Sequence, residues 1–190
     1  MEEVDLRKLL LLILCVVLFF ALAANASQTI ITFDDLQGDL QLVPDGYAGV
    51  TWHGEWEYYG DVQPPYNPHS PPNRVFDFLN DASFDFASPV VFDGAWFSGN
   101  AFATVQFQLY LGGNLVWTSG QLAPIDVPAF LASGYNGMVD SVHVLSPSPD
   151  FFVMDDVTYE TGNTGVPEPT SLLLMGTSVA GLAGYLRRKI

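Results

Sequence analysis

The chain has 190 residues, with 21 Asp and Glu against 6 Lys and Arg, for a formal net charge of −15. That length accommodates one ordinary domain with flanking segments, and 49% apolar, 14% aromatic and only 14% charged residues exclude intrinsic disorder. The acidic balance also excludes nucleic acid as a partner, because phosphate recognition needs clustered Lys and Arg.

The charges are unevenly placed. Arg7, Lys8, Arg187, Arg188 and Lys189 stand at the two ends. Between Ser27 and Val166 the one cation is Arg74. It faces the seventeen carboxylates left when Glu2, Glu3, Asp5 and Glu168 are set aside, so this segment carries −16.

In chain order, Arg7-Lys8 precede an unbroken apolar run over residues 9–24, and Ala24-Asn25-Ala26 follows as a small-x-small site. A basic start, an apolar run and that site predict a secretory signal peptide over residues 1–26, cut after Ala26 by signal peptidase, with an uncleaved membrane anchor as the alternative. Cys15, the only cysteine, falls inside it. The mature chain is therefore expected to have no disulfide, no thiol nucleophile and no Cys-ligated metal.

Residues 28–161 show no sustained helical periodicity. Gly and Pro recur among β-branched and aromatic residues, which predicts an all-β sandwich of eight to ten short strands. Strands are expected at 29–33, 49–52, 75–78, 83–86, 90–92, 95–97, 103–111, 115–118, 138–145 and 152–159. Residues 103–111 alternate, with Val105, Phe107, Leu109 and Leu111 on one face and Thr104, Gln106, Gln108 and Tyr110 on the other. Gly112-Gly113-Asn114 is a tight turn, so 103–111 and 115–118 should form a hairpin.

After residue 161 comes a linker and then Val166-Pro167-Glu168-Pro169, an apolar stretch over 172–186, and Arg187-Arg188-Lys189. Fifteen residues of helix span about 22 Å, and snorkelling Arg and Lys heads make up the shortfall against a hydrocarbon core of about 30 Å. The pattern predicts a transmembrane helix held by a cytoplasmic stop-transfer cluster. Pro167, Glu168 and Pro169, the helix and the basic end together resemble the PEP-CTERM sorting signal across the last 25 residues, within a segment 162–190 of linker and signal. The resemblance implies a Gram-negative extracytoplasmic protein, anchored transiently in the membrane, processed by exosortase near Pro-Glu-Pro, and associated with exopolysaccharide and biofilm.

Three further stretches carry a second resemblance. They are Thr32-Phe33-Asp34-Asp35, the run from Val43 through Gly46-Tyr47 to Trp52, and Phe152-Val153-Met154-Asp155-Asp156-Val157. Together they look like a jelly roll of the discoidin or carbohydrate-binding-module type, a fold that implies a glycan partner without naming one.

Two candidate sites emerge. Asp34-Asp35 and Asp155-Asp156 follow apolar runs in the first and last strands, which lie side by side in a jelly roll. Hard oxygens from two segments suit Ca²⁺, and similar sandwiches carry a structural calcium near this place. The alternative is that these carboxylates cap turns and face solvent. The second site spans residues 53–73 with Trp52, where Trp52, Trp56, Tyr58, Tyr59 and Tyr66 stand among Pro64, Pro65, Pro68, Pro71 and Pro72. A Pro-rich loop can hold aromatic faces ready for sugar rings, or it can fold onto the sandwich and finish its core. Trp96 and Trp117 are expected in the core.

No catalytic set is apparent. His53, His69 and His143 are scattered singly, and neither a metalloprotease helix motif nor a nucleophile elbow occurs. The expected function is non-enzymatic binding or organisation of matrix polysaccharide. A purely structural matrix protein, or a hydrolase using Glu55 and Glu57, are the alternatives.

Overall fold

The computed structural model describes residues 27–77 and 82–161. The expected signal peptide and the segment 162–190, with the sorting tripeptide, the apolar helix and the basic cluster, lie outside the described residues. Among the described residues no helix is long and apolar enough to cross a membrane.

Eleven strands among the described residues form one hydrogen-bonded network. In order they are β1 (Ser27–Ile31), β2 (Gln41–Leu42), β3 (Val50–His53), β4 (Trp56–Tyr59), β5 (Arg74–Asp77), β6 (Ser83–Gly99), β7 (Val105–Leu111), β8 (Asn114–Leu122), β9 (Ala129–Ala132), β10 (Met138–Leu145) and β11 (Phe152–Thr161).

The long strand β6 makes the network a sandwich. Its first part pairs with β3 on one side and β10 on the other, and β10 continues through β7 to the edge strand β8. Its later part pairs with β9 and β11, and β11 continues through β5 and β4 to β2. Between the two parts Ala87, Ser88 and Pro89 are exposed, and the pairing with β10 jumps from Val90 to Asp85. This is a bulged corner, where Pro is tolerated because no ladder bond is asked of it. Pro89 and Gly94 are why the sequence alone suggests three strands where β6 is one.

The two layers meet through aromatic rings. Phe107 of β7 lies 5.0 Å from Phe92 and 5.7 Å from Phe97 of β6, and Trp52 of β3 lies 6.0 Å from Trp56 of β4. Val105, Phe107 and Leu109 all face inward, as their alternation requires. Leu111 pairs with Asn114 around Gly112 and Gly113, whose φ values of 57° and 75° close a two-residue hairpin turn.

The remaining strand predictions agree within a few residues, with three omissions: β2, β4 and β9. Strand β4 sits inside the segment expected to be loop, so the Pro-rich connection is confined to residues 60–73. At the other end, β1 and β11 run antiparallel with Ile31 opposite Val157, and β1 stops before Phe33, whose φ of 60° is left-handed.

Candidate functional site

The period-2 alternation gives each layer an inner and an outer face. Trp52, Trp56 and Tyr58 fall on inner faces and are buried. Their polar tips are satisfied inside the protein: Trp52 Nε1 donates to the Tyr47 carbonyl, Trp56 Nε1 to the Ser83 carbonyl, and the Tyr58 hydroxyl to the Gln37 carbonyl. These three expected ligand residues are therefore core, since a ring that stacks on a sugar must present a free face.

Tyr59 points outward from β4 yet is also buried. It packs with Phe76, Val153 and the half-buried Tyr66 in a second apolar cluster on the outer face of the β4-β5-β11 layer. Arg74 lies 3.6 Å over the Tyr59 ring, and its guanidinium donates to the carbonyls of Tyr59 and Asp61. Segment 60–73 lies across this face as a strap. Ser98 Oγ donates to the Asn67 carbonyl at 2.5 Å, Asn100 Nδ2 to the Tyr66 hydroxyl, and the His69 ring stacks 3.5 Å from that of Trp96. Trp96 is thus half-buried beneath the strap rather than in the core, and a cavity of about 250 Å³ lies between Tyr59, Tyr66, Gln63 and Asp150.

Three of the four carboxylates expected to hold calcium serve the same strap, and the fourth, Asp35, binds outside it. Asp155 Oδ2 accepts from the backbone N–H groups of His69 and Ser70, and its Oδ1 from that of Asp156. Asp156 takes the Ser70 hydroxyl on one oxygen and His69 Nδ1 on the other. Asp34 accepts from the Asn73 N–H, and Asp35 from the Tyr47 hydroxyl. Burial, with Asp156 alongside, pushes the Asp155 carboxyl up to about 8 against its three N–H donors. Segment 69–73 stands where the two pairs were expected to converge, and among the described residues no three metal-ligating side chains gather. These residues do not fit a calcium site; they fasten a loop.

Among the described residues, none straps the outer face of the β3-β6-β10-β7-β8 layer. Register places Thr51 of β3, Asp85 of β6, Ser141 of β10 and Tyr110 of β7 in one row. His53, Ser83, His143 and Gln108 form the next. His53 Nε2 and Asp85 Oδ2 are 2.8 Å apart, and the Tyr110 and His143 rings are 4.6 Å apart. The Tyr110 hydroxyl donates to Gln108 Oε1, and Asp140 Oδ2 accepts from the Gly112 N–H. Burial works against the Asp85 charge, but hydrogen bonds from Ser141 and His53, and the charge of the two histidines, hold its carboxyl below the ordinary range.

Two open depressions share this face. One, of about 570 Å³, is lined by Asp85, Tyr110, Asp140, Ser141 and His143; the other, of about 160 Å³, by Gln106, Gln121 and Leu145. Strand β7 alone carries the face over about 20 Å at about 3.3 Å per residue. Such a surface offers donors, acceptors and one aromatic face to an extended polyhydroxylated chain.

It pairs no hydroxyl with an imidazole among the bonds described. Around Asp85, and again around Asp156, the serine and the imidazole each meet the carboxylate rather than one another. A catalytic triad needs the hydroxyl on the imidazole. The sequence shows the alternation that carries Gln106, Gln108 and Tyr110, but His53 and His143 stand ninety residues apart in it. Only the register through β6 brings them to one face. Trp117, expected in the core, is 42% exposed on the edge strand β8, stacked on Tyr135.

Residues 165–189 match the PEP-CTERM protein-sorting motif, which marks a chain for secretion and sorting to the cell surface. No curated protein sequence matches the chain. Among solved structures, a tyrosine-to-alanine mutant of the family 29 carbohydrate-binding module CBM29-2 is 12% identical with a TM-score of 0.42, covering 73% of this chain and 94% of that one. A second structure of a family 29 module is 15% identical with a TM-score of 0.40, covering 73% and 90%. A family 61 module in complex with β-1,4-galactotriose is 14% identical with a TM-score of 0.36, covering 67% and 100%. Likeness of that depth carries no argument about what this chain binds.

Proposed function

We propose that this chain, which carries a PEP-CTERM sorting motif at residues 165–189, is a non-enzymatic cell-surface protein that binds or organises polysaccharide of the extracellular matrix. Exosortase processes it near Pro167-Glu168-Pro169. The observation that supports the binding role is the uncovered outer face around Tyr110. Its side chains alternate out of a rigid sheet, they are hydrogen-bonding types, and they lie in a track long enough for several sugar rings. Preorganised polar groups beside an aromatic face suit hydroxyl-rich ligands, which pay little for immobilising a stiff sheet.

A glycan array probed with the mature domain tests the reading. Wild type should bind at least one polysaccharide, and Tyr110→Ala should weaken that binding about tenfold, in line with the loss of one stacked ring. Absence of any signal on the array, with the host's own exopolysaccharide included, would leave a structural matrix protein as the function. Sorting is tested separately: deleting residues 167–169 should leave unprocessed protein in the membrane, and normal maturation would exclude exosortase.

A further inference from the structure

The charge of the domain narrows the kind of polysaccharide it can take. Arg74 is the only Lys or Arg among the described residues, and it is 1% exposed, its guanidinium spent on two carbonyls and a tyrosine ring beneath the strap. No fixed cation therefore reaches the described surface. A chain of uronic acids or sulfated sugars would meet only carboxylates there, with nothing to neutralise it.

On the uncovered face the balance is reversed in favour of a cation. Asp85 and Asp140 line the same open depression as Tyr110. The Asp85 side chain is 44% exposed, and among the described residues Asp140 Oδ1 has no partner once Oδ2 has accepted from the Gly112 N–H. The cationisable groups that face them are His53 and His143, from β3 and β10, and both are imidazoles rather than fixed charges. An aromatic ring flanked by Asp140, with one open oxygen, and by the half-exposed Asp85, which Ser141 and His53 share, suits a pyranose bearing an ammonium group. The ring stacks, and the ammonium takes the carboxylate in a charge-assisted hydrogen bond.

We infer that the ligand of this face is a polysaccharide containing 2-amino-2-deoxyhexose units with free amines, held at Tyr110 by Asp85 and Asp140. The inference rests on the polysaccharide-binding role proposed above. It adds the charge class of the sugar.

Isothermal titration of the mature domain with three probes tests it: a glucosamine oligomer, its N-acetylated counterpart and an oligouronate. The glucosamine oligomer should bind about tenfold more tightly than the N-acetylated one. That margin should vanish at high salt, where the screening length falls to about 3 Å. The oligouronate should not bind. Asp140→Asn keeps an oxygen for the Gly112 N–H while removing the charge, and should cost about threefold for the amine oligomer and nothing for the N-acetylated one. Equal affinity for free and acetylated amines would overturn the inference, as would preference for the oligouronate. So would binding of some other glycan on the array with none for glucosamine; in all three cases the polysaccharide-binding role would stand. An empty array would overturn both.

Discussion

The two outer faces of the sandwich follow the same alternation and meet opposite fates. Outward from β4, β5 and β11 stand Tyr59, Phe76, Val153 and Asp155, and segment 60–73 covers them. Outward from β3, β6, β10 and β7 stand His53, Asp85, His143, Gln108 and Tyr110, and none of the described residues lies over them. The first set is mostly apolar, or charged and buried, so water must be excluded by something. The second is polar and well solvated. Aromatic residues on a strand's outer side therefore say little by themselves; what decides their role is whether a loop of suitable length and stiffness lies over them. Here the Pro-rich loop, whose composition allows either presentation or cover, is the cover.

The comparison is most sharply broken at Tyr59. Tyr59→Ala removes a buried ring from under Arg74 and beside Phe76, and should cost about 3 kcal/mol of stability. An unfolding free energy, from chemical denaturation, that fell by less than a third of that would mean the strap contributes little and the face is effectively open. Tyr110→Ala on the other face should change the same free energy by less than about 0.5 kcal/mol, while abolishing most glycan binding.

Asp155 offers a second measure of the covered face. Its carboxyl sits near 8 in the folded protein against 3.8 ordinarily, so the folded state holds the proton more tightly than the unfolded chain. The stability this contributes is fully present below about pH 4 and is lost as pH rises through about 8. Asp155→Asn cannot ionise, so the fall in melting temperature between those limits should be shallower in the variant than in wild type. Comparing the two cancels the self-repulsion common to both. Parallel curves would place the Asp155 carboxyl in water, and with it the end of the strap.

Much of this arrangement was legible in the residues and some was not. The hairpin at Gly112-Gly113 follows from local turn chemistry, and the inward set Val105, Phe107 and Leu109 from strict alternation, both of which are short-range signals. The corner at Ala87-Ser88-Pro89 was not legible, because an exposed Pro within a strand and a Pro between two strands look alike until the neighbouring register is known. The same ignorance of register hid the site: β6 alone joins β3 to β10, so no local pattern could bring His53 and His143 together. For the strap, the composition of segment 53–73 supported both presentation and cover. The backbone N–H groups of His69, Ser70 and Asn73 decided between them by taking the carboxylates of Asp155 and Asp34.

On the open face the corresponding carboxylate should matter far less to folding. Asp85 is held below its usual range, so the sign is opposite to that of Asp155: its contribution is present above the ordinary pKa and is lost as pH falls through the folded one. Both partners of the His53–Asp85 pair are close to half exposed, which leaves the interaction largely screened. Asp85→Asn should therefore lower stability by less than about 0.5 kcal/mol, and added salt should erase even that. A loss several times larger would mean that the face is buried against something in solution.

Calcium should have the smallest effect of all. To bind between Asp34-Asp35 and Asp155-Asp156, the ion would have to displace the N–H groups of His69, Ser70 and Asn73, the Ser70 and Tyr47 hydroxyls and the His69 ring. Each displaced donor would be left to find water beside a covered sheet, and a buried donor without a partner costs about 1–3 kcal/mol. Any ion that paid those costs would also have to pull segment 69–73 away from Trp96. A thermal melt in millimolar Ca²⁺ should therefore overlay the melt in chelator, since a ligand stabilises only in proportion to its occupancy of the folded state. A rise of several degrees would require a folded form in which the strap has left the carboxylates. The two outer faces would then be alike after all.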